Sequence, residues 1–440
     1  MDPLLYARSQ MGLSLAFHIL FAAAGIALPL LLVASDVLWY RTRESDYLDL
    51  SQRLAKGTAI LFAVGAVSGT VLSFELGLLW PQFMARFGDM IGLPFSLEGF
   101  AFFTEAIFLG IYLYGRNRVS RGMHLLAGIA VMVSGAASAF FVTLVNAFMN
   151  LPAGLGPEGS PRVDGDPLVA MFSQPWLHEV VHGLIAAYQA VAFAMAGIHA
   201  ALLLRQPRST FHRRALALAL VVGGVTALLQ PLVGDRAAKA VAEHQPLKLA
   251  ALEAQFETER RAPLRLGGWP DEERGEVDWA LEIPGGLSFL AHGDLDAEVQ
   301  GLRAFPRELW PPVLATHISF QVMVACGMIL ALLSVMAALL AWRKRGLPDS
   351  RPFLIAVVLC SPLGVIALEA GWLVTEFGRQ PWIVRGHMLT REAVTPFPCL
   401  AAPFWLFTVV YVFLGLVVVY LMWTQIAATR QVEEKPDATP

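Results

Sequence analysis

Charge is scarce in this chain. Only 15% of its 440 residues are Asp, Glu, Lys or Arg, and the net formal charge is −3. No Lys/Arg tract is long enough to neutralise a polyanion, so nucleic acid is not expected as a partner. Cysteine is scarce as well: Cys326, Cys360 and Cys399 form neither a CxxC nor a CxxCH pattern. That argues against a disulfide framework, an iron–sulfur site and a covalently attached haem. Apolar residues make up 56% of the chain, and the mean hydropathy of +0.58 lies well above that of soluble globular proteins. They collect in long stretches, each able to cross a hydrocarbon core of ~30 Å as a helix.

The pattern predicts an all-α, polytopic membrane helix bundle with nine transmembrane helices, at roughly 14–39, 57–81, 95–115, 123–148, 177–204, 214–233, 312–342, 352–374 and 402–425. The first is far longer than a signal h-region and no small-residue cleavage site follows it, so it is read as retained. Alternate connections carry Arg41, Arg43, Arg53 and Lys56, then Arg116, Arg118 and Arg121, then Arg205, Arg208, Arg213 and Arg214, then Arg343, Lys344, Arg345 and Arg351. The short connections on the other side hold only Arg86 and Arg162. By the positive-inside rule the N-terminus is expected outside and the C-terminus, with Arg430 and Lys435, in the cytoplasm. The expected organisation is 1–233 for helices one to six, 234–311 for an outer loop, 312–425 for helices seven to nine and 426–440 for a cytoplasmic tail.

The loop at 234–311 carries 15 acidic and 9 basic residues. It is too long for a plain connector, so a functional role is expected. Ala237 to Arg260 has helical periodicity and lacks Gly, whereas Gly267, Gly268, Pro270, Pro284, Gly285 and Gly286 read as turns.

An ionisable side chain in hydrocarbon costs at least ~2.5–3.5 kcal/mol, so each one asks for a partner or a job. The spans hold His18, Glu75, Glu98, Glu105, His124, His178, Glu179, His182, His317, Glu369 and Glu376. On the topology above, His18, Glu98, His182, Glu376 and Met323 fall near the outer face. A layer of His, Met and carboxylate there suggests haem, whose iron takes His or a His/Met pair as axial ligands. Glu98 and Glu105, seven apart, share one helix face two turns apart. Stacked carboxylates suit a proton relay, or they hold something fixed.

Two rival classes present themselves. His178-Glu179-Val180-Val181-His182 fits HExxH, in which two His one turn apart bind zinc and the Glu acts as general base. An intramembrane zinc metalloprotease would need a third ligand, and no NPxxDG-like motif supplies one. A transporter or channel would need helices broken at mid-membrane, whereas the Gly and Pro lie mostly in loops.

The stretch Glu369-Ala370-Gly371-Trp372 with Glu376-Phe377-Gly378-Arg379-Gln380-Pro381-Trp382 resembles the EAGW…E(Y/F)GRQPW signature of subunit I of the cytochrome bd-type quinol oxidases. The resemblance covers nearly the whole chain. Arg8-Ser9-Gln10 with Phe17-His18 is similar to the family's first-helix segment, and Leu97-Glu98-Gly99 with Thr104-Glu105 to its third-helix carboxylate motif. Val181-His182-Gly183 and Met323-Val324-Ala325-Cys326-Gly327 match the regions of its low-spin haem ligands. Gln245, Lys248 and Glu253 match the quinol pattern of its periplasmic loop.

The resemblance implies that His182 and Met323 ligate a low-spin haem b. His18 and Glu376 would each serve one of two high-spin haems, one haem b and the other haem d or a haem b replacing it, with Glu98 a further ligand at the oxygen site. Arg8 and Arg379 would pair with haem propionates, and Trp372 would pack between haems. Lys248 and Glu253 would bind the quinol head group, and Glu105 would carry protons up from the cytoplasm. Quinol would be oxidised at the outer loop and oxygen reduced to water, building membrane potential without pumping. A second membrane subunit, a small single-helix subunit and membrane lipid are the implied partners, in a bacterial inner membrane. Gln321 stands where many members have Arg. With the short loop and the His317-x-Ser319-Phe320-Gln321 segment, it leans toward the cyanide-insensitive branch.

Overall fold

The computed structural model describes residues 3–153, 155, 167–172 and 176–433; Arg162 and Lys435 lie outside them. In hydrocarbon, backbone N–H and C=O groups have no water to bond, so long apolar stretches close their hydrogen bonds internally as helices. The helices are α1 (Pro3–Thr42), α2 (Ser45–Leu79), α3 (Pro81–Gly115), α4 (Arg121–Asn150), α5 (Pro167–Phe172), α6 (Leu177–Arg205), α7 (Thr210–His244), α8 (Pro246–Leu252), α9 (Gly286–His292), α10 (Val313–Lys344), α11 (Arg351–Cys360), α12 (Leu363–Phe377), α13 (Thr390–Ala393) and α14 (Ala401–Glu433). Among the described residues nine helical stretches are long and apolar enough to span a membrane, with α11 and α12 together making the eighth. Pro362 separates those two, since it cannot donate to the helix ladder.

The spans outrun the hydropathy windows. Helix α3 begins at Pro81, where a proline costs nothing because the first helical N–H has no partner. Arg86 therefore sits inside a helix rather than in a connection. Helix α7 continues to His244, past the expected boundary at 233.

The chain forms two compact units. One comprises residues 1–81, 101–136 and 394–440, in which α1 packs on α2 and α14, and α14 on α2. A buried polar knot ties its helices together. Asp36 on α1 accepts from Ser51 Oγ on α2 (2.6 Å), from Tyr112 OH on α3 (2.5 Å) and from Arg116 just beyond α3 (3.2 Å). His124 Nδ1 on α4 lies 3.4 Å from the same carboxylate.

The other unit comprises 82–100 and 137–393. Its centre is a four-helix arrangement in which α6 packs on α7, α7 on α10, α10 on α12 and α12 on α6. The segment between α7 and α10 has small apolar cores of its own. Ala242, Leu249, Ala262, Leu287, Ala291 and Val299 form one, and Ala250, Ala251, Ala254, Phe256, Leu302 and Val313 another. The helix expected through Arg260 is interrupted: Pro246 biases Gln245 away from helical geometry (φ −137°, ψ 56°), and α8 ends at Leu252. The expected turns form short antiparallel pairs: β1 (Glu259–Arg260) with β6 (Glu298–Val299), β2 (Leu264–Leu266) with β5 (Leu281–Ile283), and β3 (Trp269–Asp271) with β4 (Glu276–Asp278). Gly267 and Gly268 join β2 to β3 at φ +68° and +107°, a conformation side chains resist. Beyond α12, β7 (Trp382–Val384) pairs with β8 (Met388–Leu389).

Candidate functional site

Helix α8 is too short to be stable alone and is held by what covers it. Gln245, Lys248 and Glu253, at its start, on it and at its end, are 1%, 6% and 5% exposed. Gln245 Nε2 and Glu253 Oε2 are buried without a hydrogen-bond partner, so this short segment carries unspent polar capacity of the kind a bound head group satisfies. Burial pushes the Glu253 carboxyl up to about 7, with Arg265 acting the other way. Burial likewise lowers the Lys248 ammonium to about 8, opposed by Glu179 and Glu376 and reinforced by Arg379 and Arg385.

Lys248 is also tied to the segment that carries Glu376 and Arg379. Its Nζ donates to Asn150 Oδ1 (3.0 Å), Asn150 Nδ2 donates to Asn146 Oδ1 (3.0 Å), and Asn146 Nδ2 donates to Glu376 Oε1 (2.8 Å). Arg379 Nη2 closes the line on Glu376 Oε2 at 2.5 Å. Neither Asn was singled out from sequence, because a neutral amide in a span does not stand out as an ionisable group does. Arg385 was missed as well: its backbone N–H donates to Met149 O and its guanidinium to His244 O, fastening the β7–β8 turn to the ends of α4 and α7.

His182 is on α6, with Nδ1 buried and unpartnered and Nε2 3.2 Å from Gln230 Nε2. A Cβ at Gly234 would sit 3.5 Å from its ring, and one at Gly371 would sit 3.2 Å from Met323 Sδ. The missing Cβ at Gly371 thus leaves Met323 room, and both candidates are on helices of the same four-helix arrangement. Glu376 already accepts two hydrogen bonds, yet an ionised carboxylate has about four lone-pair sites, so capacity for a metal remains. Arg379 is buried, and its Nε and Nη1 lack partners, which suits a propionate. Trp372 is half-buried on α12, and Glu98 accepts from Ser138 Oγ at 2.9 Å. The residues present fit haem.

In the first unit, His18 Nδ1 is 3.0 Å from Ser68 Oγ, and Arg8 is exposed near the start of α1. Glu105 is buried against Gly25 and Gly135. Gln10 Nε2 donates to the buried Glu75 at 2.9 Å, which gives that carboxyl a structural partner. For the protease reading, His178 lies 4.0 Å from Glu179, and among the described residues no three His, Cys, Asp or Glu side chains converge as zinc would require.

The sequence pattern of the family described as cytochrome bd terminal oxidase subunit I matches residues 6–430. The solved structure of bd oxidase from Geobacillus thermodenitrificans superposes with a TM-score of 0.91 at 39% identity, over 97% of this chain and 99% of that one. A Bacillus subtilis (strain 168) protein, provisionally named a cytochrome bd menaquinol oxidase subunit I, is 39% identical over 96% of each chain. A second from the same organism, named a cytochrome bd ubiquinol oxidase subunit 1, is 30% identical over 97% of this chain and 94% of its own. The chain belongs to the cytochrome bd terminal oxidase subunit I family: it is a multi-pass membrane subunit of a haem-carrying quinol oxidase that works beside a second subunit.

Proposed function

We propose that this subunit oxidises quinol at the segment between α7 and α10, on the outer side of the membrane, while oxygen is reduced to water within the bundle. The observation that carries the quinol site is the burial of Gln245, Lys248 and Glu253 on one short segment, with unpartnered polar atoms on Gln245 and Glu253. Lys248 binds a quinol oxygen, and Glu253 takes the proton that quinol loses, a role suited to a carboxyl raised to about 7. Positive charge on alternate connections supports an outer N-terminus and a cytoplasmic C-terminus, which puts this segment outside. The working division is 1–233, 234–311, 312–425 and 426–440.

His182 and Met323 hold the low-spin haem b, and His18 and Glu376 each serve one of the two high-spin haems, with Glu98 beside the oxygen site. Arg8 and Arg379 pair with propionates and Trp372 packs between rings. Bound haem supplies the electron transfer from quinol to oxygen. Glu105 passes protons inward from the cytoplasm, so charge is separated without pumping. The oxygen-site pigment is haem d or a haem b in its place, and a small single-helix subunit joins the second subunit. Gln321 and the short loop favour the cyanide-insensitive branch.

His182→Ala or Met323→Ala should abolish the low-spin haem's optical signal in the purified oxidase, and an unchanged spectrum refutes the ligand assignment. Lys248→Ala or Glu253→Gln should weaken quinol oxidation while oxygen reduction with an artificial reductant persists. A parallel fall in both activities overturns the quinol assignment.

A further inference from the structure

Two side chains one turn apart on α10 reach out of the helix to backbone of the outer segment. His317 is fully buried, with Nδ1 2.7 Å from the carbonyl oxygen of Leu252 and Nε2 3.2 Å from that of Gly267. A neutral imidazole donates one of these bonds and an imidazolium donates both. Gln321 Nε2 donates to Arg265 O (2.9 Å), and Gln321 Oε1 accepts from Gly267 N–H (3.0 Å). The amide therefore pairs with residues 265 and 267 as a neighbouring strand would, giving one donor and one acceptor to alternate residues.

What these bonds hold matters. Leu252 directly precedes Glu253, and Arg265 is the cation that acts on the Glu253 carboxyl. Arg265 also donates to Gln255 Oε1 (2.7 Å) and Ala254 O (3.3 Å), so β2 is bonded to the residues that follow Glu253. Met323 lies two residues beyond Gln321 on the same helix.

We infer that His317 and Gln321 are positioning residues that clamp the quinol segment to α10 and so fix Glu253 for quinol oxidation. The inference rests on the quinol reading above and deepens it. The chemistry at 321 requires a residue that both donates and accepts. An arginine there would offer only donors and leave Gly267 N–H without its acceptor.

The test uses the purified oxidase complex carrying Gln321→Leu, Gln321→Arg, Gln321→Glu or His317→Asn. Three readouts are taken: quinol kinetics, the low-spin haem spectrum, and trypsin cleavage at the exposed arginines of the segment, Arg260 and Arg261. Gln321→Leu and His317→Asn should raise the quinol KM roughly three- to tenfold, the range expected for one or two lost hydrogen bonds. The kcat should fall as well, since a displaced Glu253 takes the quinol proton less readily, cleavage should be faster, and the low-spin haem spectrum should be kept. Gln321→Glu, which keeps the acceptor, should fall between wild type and Gln321→Leu, and Gln321→Arg should resemble Gln321→Leu. Wild-type KM and wild-type cleavage in the Leu and Asn variants overturn the clamp, and so does loss of the haem spectrum with the KM rise, because α10 itself would then have moved. Faster cleavage with an unchanged KM overturns the positioning role. Glu253→Gln is run alongside: if it leaves quinol kinetics unchanged, the quinol reading is what fails, and cleavage still decides the clamp.

Discussion

Lys248 Nζ donates to Asn150 Oδ1 at 3.0 Å, bridging 98 positions of sequence and joining the segment between α7 and α10 to the end of α4. Through Asn146 the same line of hydrogen bonds ends on Glu376, so the lysine assigned to quinol and the carboxylate assigned to a high-spin haem share one partly buried network. The close approach depends on Gly378, where a Cβ would sit 2.8 Å from Lys248 Cε.

Burial holds the Lys248 ammonium at about 8, below its ordinary value of 10.5. As pH rises through 8 the side chain loses its proton, and its bond to a quinol oxygen weakens because the charge assistance goes. The quinol KM should therefore climb on the alkaline side with a midpoint near 8. In Lys248→Arg that limb should vanish, since a guanidinium stays charged throughout. KM measured from pH 6 to 10 in both proteins checks this.

Glu253 gives the opposite limb. With its carboxyl raised to about 7, it is protonated and unable to accept a proton in acid, and it becomes competent as pH rises through 7. Quinol kcat/KM should rise across that window. Glu253→Gln should flatten the rise and lower the rate roughly 10²-fold, the scale of a lost general base. Steady-state rates from pH 5.5 to 8 measure it.

The nine spans were legible because hydrocarbon leaves an apolar stretch only one way to satisfy its backbone. Their ends were not: α7 runs on to His244 through Arg236, Lys239 and Glu243, where hydropathy falls but helix propensity does not. Strands of two or three residues, such as Trp269–Asp271, are too short to show a period of two, so the segment between α7 and α10 read as turns. The ligand candidates were legible through the EAGW and GRQPW resemblance. Asn146, Asn150 and the Asp36 knot come from pairings between distant helices, which no local spacing encodes.

Asp36 is fully buried and serves Ser51, Tyr112 and Arg116 at once. Asp36→Ala removes the shared acceptor and leaves Ser51, Tyr112 and Arg116 to pair only among themselves. Arg116 retains some exposure, which moderates the loss. A destabilisation of roughly 2–4 kcal/mol is expected, seen as a lower thermal midpoint of the purified oxidase. Quinol kinetics below that midpoint should be unchanged.

Gly371 offers a test of the Met323 assignment that leaves the ligand itself in place. Added at Gly371, a Cβ would stand 3.2 Å from Met323 Sδ and 3.8 Å from its Cγ, closer to sulfur than ordinary packing allows. Methionine is flexible, so the thioether should turn aside by a few tenths of an ångström rather than unfold the bundle. A structural role for Met323 would make Gly371→Ala spectroscopically silent. A ligand role makes the low-spin haem report the change, because the thioether at that iron sets its potential and absorption. The variant should shift the low-spin band and the midpoint potential in a redox titration, while Gly371→Ser, slightly larger, should shift both further.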